Sequence, residues 1–349
     1  MGHSSPDFVA SVSGQNAAKL QIQRLQSLWS GYGAINRVMW TENGQQKSCV
    51  IKEISPPQVP TTGHGRKLKS YQAETTFYRD FASRLNDCSI PRLLGSSNSG
   101  ENIRLALSDL SPRFPLHLTT LNKEETQVAL EWLASFHSTF WEDTSNYSSR
   151  GGDELRDDGL WGEGCYWHLA TRPEEFESIG AEWKDLKDAA TDIDRILQGE
   201  RTEEDLRCRT IVHGDFKTEN LVWSADRKQV AAYDFQYSGG GLGTKDIAYL
   251  FITGVAHELV ADDGDLELLR FYYDALVNKL DGHGHVYTWE KCKEHYKYAL
   301  LDYVRFMAGW GWWGNTKYAQ ARAREWLRRR ASSTLEEEDR RDDDRLTHI

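Results

Sequence analysis

The most informative stretch of the sequence is His213-Gly214-Asp215-Phe216-Lys217-Thr218-Glu219-Asn220, a polar segment between two short apolar runs. A third apolar run ends at Asp234-Phe235. This pattern predicts a loop between two short strands that offers one carboxylate and one amide, with a second carboxylate at the end of a neighbouring strand. Hard oxygen ligands of this kind suit Mg²⁺, and a remaining carboxylate can deprotonate a hydroxyl that attacks a phosphoryl group. A single aspartate in a loop is usually a turn residue, but the ordered set is far more specific.

A lysine in the N-terminal half also needs an explanation. Lys52 lies in the apolar run 49–54, which predicts a strand. Its side chain either reaches solvent from an edge strand or pairs with a buried carboxylate. The following helix supplies that carboxylate, because Glu74 falls at the spacing of Tyr71, Tyr78 and Phe81 on the apolar face. We therefore expect a Lys52–Glu74 pair, unless Glu74 lies at the solvent edge of that face.

Composition limits the classes of protein to consider. The chain has 349 residues, of which 39% are hydrophobic, and its net charge is −11. The apolar content excludes a disordered protein, and the negative charge argues against nucleic-acid binding. Five scattered cysteines form no metal or disulfide pattern, and neither a signal peptide nor a membrane span is predicted. We expect a cytoplasmic protein, either a monomer or a homodimer.

The order of patterns predicts two regions and a tail. Residues 1–110 are expected to form a small antiparallel sheet with one long helix over 67–85, preceded by a helix over 13–30. Residues 111–325 are expected to be mainly helical, and residues 326–349 form a charged tail that is predicted to fray or to be disordered. The fold class is therefore α+β.

These motifs, taken in order, resemble the aminoglycoside-phosphotransferase and choline-kinase-like superfamily. Within it, Ser30-Gly31-Tyr32-Gly33 and Leu107-Ser108-Asp109-Leu110 are similar to the ecdysteroid-kinase-like branch of small-molecule kinases. The resemblance covers about residues 28–310. It implies a protein-kinase-like fold of two lobes with ATP held between them.

The resemblance implies roles in both lobes. In the C-terminal lobe, Asp215 would be the catalytic base, Asn220 and Asp234 would hold Mg²⁺, and Asp246 would support the catalytic loop. Lys217 either contacts the transferred phosphate or is solvated.

In the N-terminal lobe, Lys52 with Glu74 would position the ATP phosphates. Gly31 and Gly33 would let backbone N–H groups approach those phosphates, although two glycines in a turn are ordinary. The backbone of Ser108 to Leu110 would meet the adenine. One departure from the kinase pattern is Gln236, which stands where a glycine often follows the D-F pair.

The acceptor is predicted from the C-terminal aromatic residues. Asp302, Trp312 and Trp313 lie in or just after the last long predicted helix, where glycines interrupt the tryptophans. Indole faces and a carboxylate favour an acceptor with a ring or a cationic nitrogen, but the same side chains could simply be core. His137 lies on an apolar helix face and is predicted to be a packed core histidine.

The leading hypothesis is an ATP- and Mg²⁺-dependent kinase that phosphorylates a hydroxyl of a small molecule. The rival is an inactive nucleotide-binding pseudokinase or scaffold. A protein kinase is a third reading, but no Ala-Pro-Glu element follows Asp234. Neither nucleic acid nor membrane is expected as a partner.

Overall fold

The N-terminal sheet is built on a hairpin whose turn the sequence encodes. A computed structural model describes residues 6–16, 19–58, 63–142, 153–199, 202–280 and 287–328. Asn43 and Gly44, at φ of 50° and 75°, close the hairpin with the left-handed backbone that tight turns need. The sheet has five antiparallel strands in the order β1-β2-β3-β5-β4. They are β1 (Gln21–Ser27), β2 (Gly33–Glu42), β3 (Gln45–Ile54), β4 (Leu93–Ser99) and β5 (Asn102–Ser108).

Two helices accompany this sheet. The short α1 (Pro6–Ser13) places Val9 in an apolar cluster with Val38 and Ile51 from the sheet. The longer α2 (His64–Thr76) follows β3 and continues through a π-helical turn and a 3₁₀ turn to residue 84. The predicted long helix is thus confirmed.

The predicted helix over 13–30 is wrong. Residues 21–27 form β1, which pairs with β2 through a register that shifts between Arg24 and Gln26. Every side chain of β1 is exposed, so the strand carries no apolar alternation that the sequence could have revealed. Leu25 in the strand and Leu20 and Leu28 beside it fit one helical face, and pairing with β2 overrides that local pattern.

The C-terminal part is mainly helical. Its helices are α3 (Lys123–Thr139), α4 (Pro173–Glu177), α5 (Lys184–Leu197), α6 (Glu203–Arg207), α7 (Thr244–Thr253), α8 (His257–Val260), α9 (Gly264–Val277), α10 (Trp289–Trp310) and a stretch over 316–328. Asn122 and Glu125 form the predicted reciprocal capping box at the start of α3. The charged tail was predicted from residue 326, and beyond residue 328 it lies outside the described residues.

Two short ladders carry the polar segment 213–220. β6 (Arg209–Val212) pairs with β9 (Gly239–Leu242), and β7 (Leu221–Trp223) pairs with β8 (Val230–Ala232). The sequence did not predict β9, because three glycines are poor strand formers. Close packing explains the first of them, because a Cβ on Gly239 would lie 2.3 Å from the backbone oxygen of Trp161.

The α+β fold with a sheet-bearing lobe and a helical lobe is confirmed, while the boundary at residue 110 stays a prediction. One large apolar core fills the helical part and extends to Phe77 and Leu105 of the N-terminal lobe. All five cysteines are buried and free. Among the described helices, none has the length and apolar character needed to cross a bilayer.

Candidate active site

A buried lysine connects residues from both lobes. Lys52 Nζ lies 2.7 Å from Glu74 Oε2 and 2.9 Å from Asp234 Oδ1. Its strand, β3, lies between β2 and β5, so Lys52 does not extend to solvent from an edge. Glu74 is 2% exposed and does not lie at a solvent edge either. The structure therefore brings together a lysine and two carboxylates from three separate segments.

The charges in this cluster stabilise one another. Burial lowers the pKa of Lys52, but the charges of Asp234 and Glu74 outweigh burial and hold it above its usual value. Burial raises the pKa of Asp234, but Lys52 and the hydrogen bonds to the carboxylate hold it below its usual value. Burial raises the pKa of Glu74 to about 7 against the opposing charge of Lys52. Asp234 is thus ionised at neutral pH and suited to meet a cation.

Asp215 is held by side chains on both of its carboxylate oxygens. Asn220 Nδ2 donates to Oδ2 at 2.9 Å, while Tyr249 OH donates to Oδ1 at 3.0 Å. Lys217 Nζ lies 3.1 Å from the same Oδ1. Burial raises the pKa of Asp215 to about 6 against the opposing charge of Lys217. A fixed carboxylate with a pKa near neutrality has the properties of a general base.

Asp246 fixes the loop that carries Asp215. Its carboxylate is fully buried and accepts from the backbone N–H of His213 at 2.7 Å and from that of Gly214 at 2.9 Å. His137, buried as predicted, adds its Nε2 at 3.1 Å. Gly214 has a φ of 81°, and a Cβ there would lie 2.1 Å from the backbone oxygen of Tyr237. The conformation of this loop is therefore fixed by hydrogen bonds and by close packing.

The residues after Asp234 tie it to α2. The Phe235 ring stacks on Phe77 with centroids 3.9 Å apart. Gln236 donates to Asp234 Oδ1 at 2.6 Å and accepts from the Ser70 hydroxyl at 3.1 Å. The departure from glycine at position 236 thus has a structural reason, because a side-chain amide bridges α2 and the carboxylate.

The glycine turn links β1 to β2. Ser30 and Gly31 have φ of 56° and 75°, and a Cβ on Gly31 would meet no atom within 4 Å. Gly33 differs, because a Cβ there would lie 1.9 Å from the backbone oxygen of Glu53. Gly31 leaves backbone accessible at the turn, whereas Gly33 is required by the pairing of β2 with β3.

The connector after β5 is held by its own hydrogen bonds. The backbone N–H of Ser108 donates to Arg92 O at 2.8 Å. The carbonyl of Leu110 accepts from the backbone N–H groups of Arg113 and Phe114, at 3.1 and 2.8 Å. Asp109 forms an ion pair with Arg37 of β2 at 2.8 Å. The connector is thus fastened to β2, on one side of the lobe junction.

The predicted acceptor residues lie in three different environments. Asp302 is 1% exposed, and Arg305 donates to its carboxylate at 2.8 Å, so it is not presented to solvent. Trp312 is 37% exposed and lies 5.5 Å from the Trp183 ring. Trp313 packs edge-on against Tyr303 at 5.9 Å.

Two tyrosines near Asp215 were missed by sequence reasoning. Tyr166 OH lies 3.0 Å from Tyr249 OH, whose ring is 5.0 Å from Tyr303. Aromatic contacts therefore run from the hydrogen-bond partner of Asp215 to Trp313. The available signal was that Tyr249 follows Asp246 by three residues, which places both on one helix face.

Comparison with known proteins agrees with this fold. Residues 164–284 match the model of the ecdysteroid kinase-like family. No curated protein sequence matches the chain. Choline kinase from Cryptosporidium parvum has a similar structure, with a TM-score of 0.56 and 11% identity over 95% of this chain and 96% of that chain.

Two other solved structures are similar at lower scores. An aminoglycoside phosphotransferase from Alicyclobacillus acidocaldarius has a TM-score of 0.47 and 14% identity, covering 95% of this chain and 98% of that chain. Ethanolamine kinase from Plasmodium vivax has a TM-score of 0.44 and 11% identity, covering 88% of this chain and 82% of that chain.

The fold assignment depends on the choline kinase structure and on the family match. The resemblance predicted from the sequence is confirmed at the level of the fold: this chain has a choline-kinase-like fold, and its residues 164–284 match the ecdysteroid kinase-like family.

Proposed function

We propose that this protein is an ATP- and Mg²⁺-dependent phosphotransferase that moves the γ-phosphate to a hydroxyl of a small molecule. The observation that carries the proposal is the buried lysine shared by Glu74 and Asp234, together with the separately fixed carboxylate of Asp215. The desolvation cost of buried charges can exceed the gain from pairing them, so stability alone does not account for this cluster. Lysines in this arrangement position nucleotide phosphates.

The donor set fits magnesium. Among the described residues, no group of three or more His, Cys, Asp or Glu side chains forms a metal site. Magnesium needs no such cage, because one or two carboxylates together with substrate phosphates usually hold it. Asp234 is the ionised ligand, and Asn220 can add its carbonyl oxygen, since its amide nitrogen is used on Asp215. When bound, the ion neutralises charge on the phosphates.

The protein's own side chains would each have a separate role in the transfer. Asp215 accepts the proton of the acceptor hydroxyl, and Tyr249 and Asn220 keep its carboxylate in one orientation. Lys217, beside Asp215, is placed to contact the transferred phosphate. Lys52 binds the phosphates of the nucleotide and keeps them in position.

Nucleotide contacts from the N-terminal lobe complete the proposal. The exposed backbone at Gly31, two residues before Gly33, would face the phosphates, and the connector from Ser108 to Leu110 would meet the adenine. The acceptor is a small molecule rather than a protein, because β9 ends at Leu242 and α7 begins at Thr244, ten residues after Asp234. That interval leaves no room for a long regulatory loop.

Binding of Mg-ATP tests this proposal. We expect Mg-ATP to raise the melting temperature of the unmodified protein, and the rise to be lost in Lys52→Met and Asp234→Ala, because a ligand stabilises only a state that can hold it. The measurement is the ligand-induced shift of each variant against its own unliganded melting temperature. Lys69→Met is the control, since Lys69 lies on α2 and its ion pair with Glu154 is on the surface. An undiminished shift in both site variants would contradict the assignment.

The acceptor proposal rests on Trp313 more than on Trp312 or Asp302. Trp313 connects through Tyr303 and Tyr249 to Asp215, whereas Trp312 packs on Trp183. We therefore propose that the acceptor carries a ring or a cationic nitrogen, which an indole face attracts by about 0.5–2 kcal/mol.

Single alanine variants separate the two tryptophans. Once an acceptor is identified, Trp313→Ala should raise its KM about tenfold, with the KM for ATP unchanged, while Trp312→Ala should raise it less. Steady-state kinetics of both variants provide the measurement. A fall in melting temperature with unchanged acceptor kinetics would show that both indoles are core.

A further inference from the structure

A second lysine lies beneath the glycine turn and is not used by the site described so far. Lys67 is on α2, seven residues before Glu74, so the two side chains emerge on nearly the same helix face. Its Nζ donates to the backbone oxygen of Trp29 at 3.1 Å. Trp29 belongs to the turn between β1 and β2, and its side chain is 80% exposed. Lys67 therefore touches the backbone of the turn that would cover the phosphates.

Two tyrosine rings relate this lysine to Lys52. Lys67 Nζ lies 4.8 Å from the centroid of Tyr32, and Lys52 Nζ lies 5.5 Å from that of Tyr71. The two rings are 6.4 Å apart. The lysines thus flank one aromatic pair, with Lys52 at its inner end and Lys67 at the turn.

The ionic partners of the two lysines differ. Lys52 is shared by two carboxylates, whereas Lys67 has no carboxylate within 4 Å among the described residues. Burial and the charge of Lys52 lower the pKa of Lys67. Among the described residues the partners of Lys67 are a carbonyl and a ring, and a cation with such partners is suited to an anionic ligand.

The charge balance of the cleft also favours an anionic ligand at Lys67. Lys52 and Lys217 face the carboxylates of Glu74, Asp215 and Asp234, which leaves a surplus of negative charge when all are ionised. A nucleoside triphosphate that carries one Mg²⁺ is still anionic, so it would meet net repulsion from this surplus. Lys67 supplies the compensating charge on the side of the turn.

We propose that Lys67 is a phosphate-binding residue, which contacts the phosphates of the nucleotide from beneath the turn in addition to Lys52. This inference rests on the proposed function and names a further residue of the same nucleotide site. On binding, the ammonium group would exchange or share its bond to the Trp29 carbonyl for bonds to phosphate oxygens. Charge-assisted bonds of that kind are stronger than a bond to a neutral carbonyl.

Nucleotides with different numbers of phosphates test the proposal. Dissociation constants for adenosine, AMP, ADP and ATP are measured by calorimetry on the full chain, with Mg²⁺ and with EDTA. In Lys67→Gln, we expect the constant for ATP to rise about tenfold and that for adenosine to stay within twofold of the unmodified protein. Lys67→Arg should recover most of the affinity, because it keeps the charge.

The controls separate phosphate binding by Lys67 from a general effect of charge on α2 and from a purely structural role in the turn. Lys69→Gln removes the same charge from the same helix and should leave all four constants within twofold. An ATP constant within twofold in Lys67→Gln, or an equal loss for adenosine and ATP, would overturn the proposal, since the second result means that Lys67 only holds the turn. Failure of the unmodified protein to bind ATP would instead overturn the proposed function, and this inference with it.

Discussion

Asp215→Asn is expected to lower kcat by about 10²-fold or more, the usual contribution of a positioned general base, with Mg-ATP affinity and melting temperature close to those of the unmodified protein. The amide keeps the size of the side chain and one acceptor oxygen for the Tyr249 hydroxyl, while Asn220 Nδ2 keeps its bond to the backbone oxygen of residue 215. Because burial already disfavours the charged carboxylate, a neutral side chain costs the fold little. The measurement is single-turnover phosphorylation of an identified acceptor.

The pH profile provides an independent check of the same residue. A base acts in its ionised form, and burial raises the pKa of Asp215 to about 6. We therefore expect kcat/KM of the unmodified protein to be level above that pH and to fall tenfold per unit below it. Asn220 and Tyr249 are neutral, so Lys217 and Asp234 are the charged groups that adjust this value. Near-normal turnover by Asp215→Asn would mean that another group is the base.

Asp246→Ala is expected to lower the free energy of unfolding by about 2–6 kcal/mol, because each buried N–H left without a partner costs about 1–3 kcal/mol. The two N–H groups are those of His213 and Gly214. Turnover should fall as well, since these residues position Asp215. Asp246→Asn keeps one acceptor oxygen and should lose less. Urea unfolding followed by tryptophan fluorescence gives the stability of each variant.

Asp226→Ala is the matched control for that experiment. Asp226 accepts hydrogen bonds from Ser224 and from the backbone N–H of Lys228, but it lies in an exposed turn. Water replaces its lost bonds, so we expect a change below about 1 kcal/mol. If Asp246→Ala and Asp226→Ala were equally mild, Asp246 would not support the loop.

The sequence predicted the parts of the site that depend on residue order. A lysine in an apolar run and a glutamate at core spacing are costly unless paired, so Lys52 and Glu74 could be matched before any coordinates were known. Asp234 as the third member of that group was predicted as a metal ligand, not as a partner of the lysine. The local sequence around Lys52 does not indicate which carboxylate from a distant part of the chain will lie next to it.

The features that the sequence did not predict depend on contacts between distant parts of the chain. β1 has no buried side chain, so its pairing with β2 cannot be read from periodicity. Tyr249 and Lys67 are ordinary residues on helices, and their importance comes from what the fold places opposite them. Asp302 was assigned to the acceptor because it is a carboxylate near tryptophans, but its ion pair with Arg305 lies in the interior.

The ion pair between Lys52 and Asp234 also affects the timing of assembly during protein synthesis. The two residues are 182 positions apart. A ribosome adds about 5–20 residues per second, so on the order of 10–40 seconds pass between them. During that interval the new strand and α2 carry a charged Lys52–Glu74 pair without its third partner, and Phe77 lacks the ring of Phe235. The N-terminal lobe therefore leaves the Phe77 ring and the Lys52 ammonium group without these partners until the second lobe is synthesised.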